Sequence, residues 1–104
     1  MKVVGITSCT VGIAHTYMAR EKLISAGEKL GWDVKVEAQG SGGVEFALTQ
    51  EEIDNADFVL IASDVTTDGM ERFKNKPLIK VPIAVALKSP EGLLLKIEKQ
   101  LNRS

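Results

Sequence analysis

Lys2-Val3-Val4-Gly5-Ile6-Thr7-Ser8-Cys9-Thr10-Val11-Gly12-Ile13 opens the chain after Met1, and its reading decides the fold. Residues 2–7 are short, rich in β-branched side chains and followed by a small-residue turn, which predicts a strand. From Ile13 to about Leu30 the period changes to that of a helix. On a wheel of about 100° per residue, Ile13, Tyr17, Ala19, Leu23, Ile24, Ala26, Gly27 and Leu30 share one broad arc, with Glu21, Lys22, Ser25, Glu28 and Lys29 opposite. Arg20 falls inside the apolar arc, where it must snorkel or meet an anionic partner. Gly31 is placed to stop the helix.

The remaining chain repeats the alternation. Residues 33–38 (DVKVEA) interleave Val34 and Val36 with charges, as an edge strand would. Gln39-Gly40-Ser41-Gly42-Gly43 lacks side-chain bulk and reads as a flexible loop. Thr49-Gln50-Glu51-Glu52 matches a capping box, predicting a short helix to about Asn55. Residues 58–62 (FVLIA) are continuously apolar, the mark of a strand buried on both faces. Residues 64–68 offer cap candidates, Asp64 among them, ahead of a short helix ending near Phe73, which Arg72, Lys74 and Lys76 would close against its dipole. Residues 78–81 read as a fourth strand, and residues 83–87 as its extension past Pro82 or as another short strand. Ser89-Pro90 begins a last helix that runs to about Leu101. Strands alternating with helices imply right-handed crossovers. The expected fold is a three-layer α/β sandwich on a four-stranded parallel sheet, ordered 2-1-3-4, of flavodoxin-like or Rossmann-like topology.

Composition narrows the function. A chain of 104 residues fits a single domain, 1–104, and with 44% hydrophobic and 26% charged residues it builds an ordinary core. One Cys and one His exclude both a disulfide framework and the common all-Cys/His zinc sites, so no metal is expected. A net charge of -1 gives no field directed at nucleic acid. The charges are segregated, however: residues 41–71 hold eight acidic groups and no basic one, while residues 72–104 hold eight basic and two acidic. No apolar run approaches the ~20 residues of a membrane span, and the N-terminus lacks a signal pattern. A small soluble cytoplasmic protein is expected.

The only Cys and the only His lie six positions apart in the first loop, between a strand and a helix N-terminus. Backbone amides converge in such a turn, and the helix dipole adds positive potential. Gly12 permits close backbone approach, and Ser8, Thr10 and Thr16 bring hydroxyls. The field that favours a thiolate at Cys9 also favours a phosphoryl group attached to that sulfur. The Cys-x5-His spacing parallels the Cys-x5-Arg loop of tyrosine phosphatases, but His15 is a weaker phosphate clamp than arginine. The residues therefore favour phosphoryl relay over hydrolysis. A cysteine-dependent phosphatase and a non-catalytic regulatory domain of the same fold stand as alternatives. Turnover of an aryl phosphate distinguishes the first, and failure of Cys9 to become phosphorylated the second.

Cys9-Thr10-Val11-Gly12-Ile13-Ala14-His15-Thr16-Tyr17-Met18 resembles the active loop of fructose-type enzyme IIB domains of the bacterial phosphoenolpyruvate-dependent sugar phosphotransferase system, whose pattern is Cys-Pro-Thr-Gly-Ile-Ala-His-Thr, then Phe or Tyr, then Met. Val36-Glu37-Ala38-Gln39-Gly40-Ser41 is similar to that family's Val-Glu-Thr-Gln-Gly-Ser segment, and Ala62-Ser63-Asp64 and Arg72-Phe73 fit its later parts. Thr10 and Val11 replace the family's Pro-Thr, which loosens the turn and removes one hydroxyl donor.

The resemblance implies a phosphotransferase component of sugar uptake. A partner enzyme IIA would carry a phosphohistidine, Cys9 would take its phosphoryl group, and membrane-embedded enzyme IIC would present a fructose-like sugar to receive it at the inner face of the membrane. Cys9 is then the nucleophile assisted by His15, and Thr10, Val11, Gly12, Ile13, Ala14 and Thr16 form the phosphate-binding loop. Gln39, Gly40, Ser41 and Asp64 form its rim. No cofactor is expected, because IIA delivers an activated phosphoryl group.

Overall fold

The structure, a computed structural model, describes residues 1–9, 13–40, 43–74 and 76–101. Strand β1 (Lys2–Ser8) lies at the centre of the sheet and leads into helix α1 (Ile13–Lys29). Strand β2 (Asp33–Gly40), strand β3 (Gly43–Glu45) and the short helix α2 (Gln50–Asp54) follow. Strand β4 (Phe58–Ser63), a 3-10 turn (Met70–Phe73), strand β5 (Leu78–Val81), helix α3 (Ile83–Lys88) and helix α4 (Pro90–Leu101) complete the chain. No helix of the described residues is long and apolar enough to cross a membrane.

Among the described residues the sheet has five strands, in the order β3-β2-β1-β4-β5. Its four parallel strands keep the neighbours that the alternation predicts, but a fifth is added. β3 runs antiparallel along β2, pairing Gly40 with Gly43 and Ala38 with Glu45. The expected loop at 39–43 is thus largely strand, with Gln39 and Gly40 ending β2 and Gly43 starting β3, while Ser41 and Gly42 lie outside the described residues. Three residues of antiparallel pairing are specified by backbone partners rather than by hydrophobic alternation, so the sequence pattern carries no sign of them. β3 stops at Phe46, whose φ of 56° takes it out of strand geometry.

Residues 83–87 are also corrected, from strand to helix. Pro82 serves as N-cap of α3, and Ile83 and Ala86 turn inward against the core while Ala84 and Val85 face out. An apolar run of five cannot by itself separate a short buried helix from a strand. The turn before Phe73 likewise departs from expectation. Its N-cap is Gly69 in the left-handed region, and no side chain from residues 64–68 caps it.

Several local signals translate directly. Thr49 caps α2 with both halves of the capping box formed, Glu52 N–H donating to Thr49 Oγ1 at 3.1 Å and Thr49 N–H to Glu52 Oε1 at 2.9 Å. Gly31 ends the first helical segment at φ 76°. Arg20 is half-buried and has no acidic ion-pair partner among the described residues. Its Nε donates to the Val36 carbonyl at 2.8 Å, and its guanidinium lies 3.6 Å from the Phe46 ring centroid. Backbone and ring together replace the carboxylate, binding α1 to β2.

Two cores cover the two faces of the sheet. Val3, Val36, Phe58 and Leu60 pack against α1, α3 and α4, and Val4, Ile6, Val59 and Ile61 pack beneath α2 and the 3-10 turn. Gly5, in the central strand, is required by a close approach: a Cβ there would sit 2.6 Å from the Leu60 backbone oxygen. Since β1 and β4 are both held by neighbours, Gly5→Ala is expected to cost about 2–3 kcal/mol, read as a lower urea midpoint with unchanged slope. A midpoint equal to wild type would show that the strands separate freely.

Candidate functional site

The site lies at the carboxyl edge of the parallel strands, where ligands of such sheets bind. Register assembles it. Ser8 pairs with Ser63 across β1 and β4, so the next residues, Cys9 and Asp64, leave the sheet side by side. Thr7 Oγ1 donates to the Thr16 carbonyl at 3.0 Å, fastening the end of β1 to the first turns of α1. This closure brings His15 to Cys9, with His15 Nδ1 4.0 Å from Sγ. Asp64 Oδ2 lies 4.0 Å from the same sulfur, within reach of a weak S–H donor. The other carboxylate oxygen, Oδ1, accepts from the Ile83 N–H at 3.3 Å. Asp64 is therefore a cap, but for α3, nineteen residues further on, rather than for the adjacent turn. Ser63 fixes that exit by bonding Val65 twice, accepting from its N–H at 3.0 Å and donating to its carbonyl at 2.7 Å.

The first turn of α1 carries no acidic side chain, so nothing on the helix neutralises its positive end. His15 lies in that first turn, half-buried like Cys9 beside it, whereas Thr16 is buried. Ala14 is exposed on the opening turn. Thr10, Val11 and Gly12 lie outside the described residues, and of Ile13 only the backbone start of α1 is described.

On the other flank the side chain of Gln39 is turned inward. Gln39 Oε1 accepts from the Asp68 N–H at 2.8 Å, and Nε2 donates to the Asp68 carbonyl at 2.9 Å and to Glu37 Oε2 at 2.8 Å. Gly40 is exposed at the end of β2. Gln39 thus supports the rim by holding the segment after β4, the one that carries Asp64.

Beneath this clamp lies a pair that sequence reasoning missed. Glu37 is only 1% exposed, yet each of its oxygens has two donors. Arg72 Nη1 and the Leu48 N–H reach Oε1 at 2.9 and 3.0 Å, while Arg72 Nη2 and Gln39 Nε2 reach Oε2 at 3.0 and 2.8 Å. Burial alone would push this carboxyl up, but the Arg72 fork, the Gln39 amide and the Leu48 amide outweigh it and hold the group below its usual range. The same pairing raises Arg72. In the alternating residues of β2, Glu37 and Gln39 fall two apart on one strand face, which leaves one usable signal. A charged residue two positions before a buried Gln on the same strand face needs a partner.

The comparisons with known proteins agree over most of the chain. Residues 4–96 match a family described as "PTS system, Lactose/Cellobiose specific IIB subunit". Over 100 residues the chain is 44% identical to the "PTS system fructose-like EIIB component 2" of Escherichia coli K12, covering 96% of this chain and 94% of that protein. It is also 39% identical over 102 residues to the "PTS system fructose-specific EIIABC component" of Bacillus subtilis 168, covering 98% of this chain and 15% of that longer protein. The solution structure of an enzyme IIB subunit of the PTS system from Escherichia coli K12 superposes with a TM-score of 0.90 at 31% identity, covering 97% of this chain and 94% of that one. The family description names lactose and cellobiose, whereas most of the relatives of high identity are fructose-like or fructose-specific and one, 42% identical, is a 2-O-alpha-mannosyl-D-glycerate-specific component, so the subgroup follows the majority of the relatives. The chain belongs to the fructose-type enzyme IIB components of the sugar phosphotransferase systems, the transferase machinery of sugar transport.

Proposed function

We propose that this protein is a phosphoryl carrier in which Cys9 takes the phosphoryl group from the phosphohistidine of an enzyme IIA and passes it to a fructose-like sugar presented by a membrane enzyme IIC. One observation carries the reading: the sulfur of the only cysteine lies at the carboxyl edge of the sheet, before an α1 N-terminus without acidic residues and 4.0 Å from His15 Nδ1. The phosphoryl group would bear its charge where the helix end and the loop amides favour it. The cradle is the loop of Thr10, Val11, Gly12, Ile13, Ala14 and Thr16, with Gln39, Gly40, Ser41 and Asp64 at its rim. Work in this cycle places the protein in the cytoplasm, visiting the inner face of the membrane through IIC. The fusion named in the Bacillus subtilis relative, EIIABC, supports partners of these two kinds. No cofactor enters, since the donor is already activated. The test is transfer of labelled phosphate from phospho-IIA, with mass spectrometry locating it on Cys9. A protein that stays unlabelled with every fructose-type IIA overturns the reading.

His15 decides whether the intermediate waits. An arginine in its place would grip two phosphoryl oxygens and stabilise attack by water, whereas imidazole offers one donor. His15→Ala is expected to slow IIA-to-Cys9 transfer by about 10²-fold without unfolding the domain. His15→Arg is expected to shorten the lifetime of the phosphocysteine, followed as release of inorganic phosphate. Unchanged rate and lifetime in both variants, with only a lower melting temperature, would reduce His15 to helix capping.

A further inference from the structure

Each half of the proposed cycle moves a proton as well as a phosphoryl group. When a thiol attacks a phosphohistidine, the S–P bond forms and the P–N bond breaks. The sulfur loses its proton, and the departing imidazole nitrogen takes one from water. In the second half the S–P bond breaks and an O–P bond forms on the sugar. The hydroxyl then releases a proton to water, and the sulfur takes one back. The helix end favours the thiolate once it has formed, but the proton still has to leave the sulfur in one half and return in the other, and a group beside the sulfur can carry it.

We propose that Asp64 is that catalytic group, relaying the Cys9 proton to and from solvent. Three observations place it there. Oδ2 stands 4.0 Å from Sγ, opposite the hydrogen-bonded Oδ1, so one oxygen is anchored and the other faces the sulfur. The residue is exposed, so a proton taken from the sulfur has a path to water. Its position is fixed from both sides, by the Ser8–Ser63 register and the Ser63–Val65 turn on one hand and by the Ile83 N–H on the other. A residue serving only as a cap needs none of the proximity to sulfur. His15 Nδ1, on the same sulfur, remains for the phosphoryl oxygens.

The proposal rests on the phosphocysteine reading, and the experiment separates the two. Single-turnover transfer from phospho-IIA is measured for wild type, Asp64→Asn and Asp64→Ala, each also melted. Asparagine keeps an oxygen for the Ile83 amide but does not hold a proton, so Asp64→Asn is expected to melt like wild type and transfer about 10²-fold more slowly. Acetate is expected to restore part of the rate to Asp64→Ala in proportion to its concentration, an effect that a lost cap does not produce. Equal rates in wild type and Asp64→Asn, or a loss in Asp64→Ala that follows melting temperature and ignores acetate, overturn the role of Asp64 while leaving the carrier reading intact. A wild-type protein that accepts no phosphoryl group at all overturns the carrier reading, and this proposal with it.

Discussion

Cys9→Ser is expected to abolish phosphoryl transfer in both directions, by on the order of 10⁴-fold or more, while the domain stays folded. Serine fills nearly the same volume, and Cys9 only borders the core, so packing changes little. The chemistry changes completely. An alkoxide is not populated near neutral pH, and Asp64 at 4.0 Å is too weak a base to make one. Transfer of label from phospho-IIA to the protein, and from the protein to sugar through IIC-containing membranes, measures the two halves separately. Sugar phosphorylation that survives in Cys9→Ser would place the nucleophile elsewhere.

The second large effect concerns stability. Glu37→Gln is expected to lower folding stability by about 3 kcal/mol at neutral pH, because removing one partner of a buried pair strands the other. For a domain of this size that corresponds to a melting point lower by roughly 10–20 °C. Arg72 keeps some exposure, 23% of its side chain, which holds the figure at the lower end of the range for buried pairs. The pH dependence has a definite sign. The Glu37 carboxyl titrates lower in the folded protein than its ordinary 4.5, so its contribution is complete above that value and is lost as pH falls through the depressed one. Wild type should therefore lose melting temperature below about pH 4.5, and Glu37→Gln should lack that part of the decline. Fluorescence of the only tryptophan, Trp32, follows both. A loss below 1 kcal/mol would put the pair in the class of surface bridges.

Why the Glu37–Arg72 pair escaped the sequence, while the closeness of Cys9 and His15 did not, is a matter of range. Thr49 and Glu52 are three residues apart and cap their own helix, so the capping box was readable. Cys9 and His15 flank one short connection, and their proximity follows from a strand leading into a helix. Glu37 and Arg72 are thirty-five residues apart, and the alternation of Val34 and Val36 pointed Glu37 outward. It is buried because the 46–48 segment and the turn before Phe73 close over the second face, which no local pattern announces. Asp64 shows the same limit. Its chemistry as a cap was legible, but the helix that it caps was not, because residues 83–87 carry no helical period of their own and the Asp64–Ile83 bond spans nineteen residues.

The two borders of the sheet bear on how this protein behaves in a crowded solution. An open strand border is a template for strands of other chains. Here β3 offers only three residues before Phe46 turns the chain away, and Glu45 places a charge on that short stretch. β5 offers four, carries Lys80 in its middle, and is bracketed by Pro77 and Pro82, neither of which has an N–H to give. A foreign strand would find too few consecutive partners at either border to align. The carboxyl edge of the sheet can thus stay open without inviting aggregation along its sides.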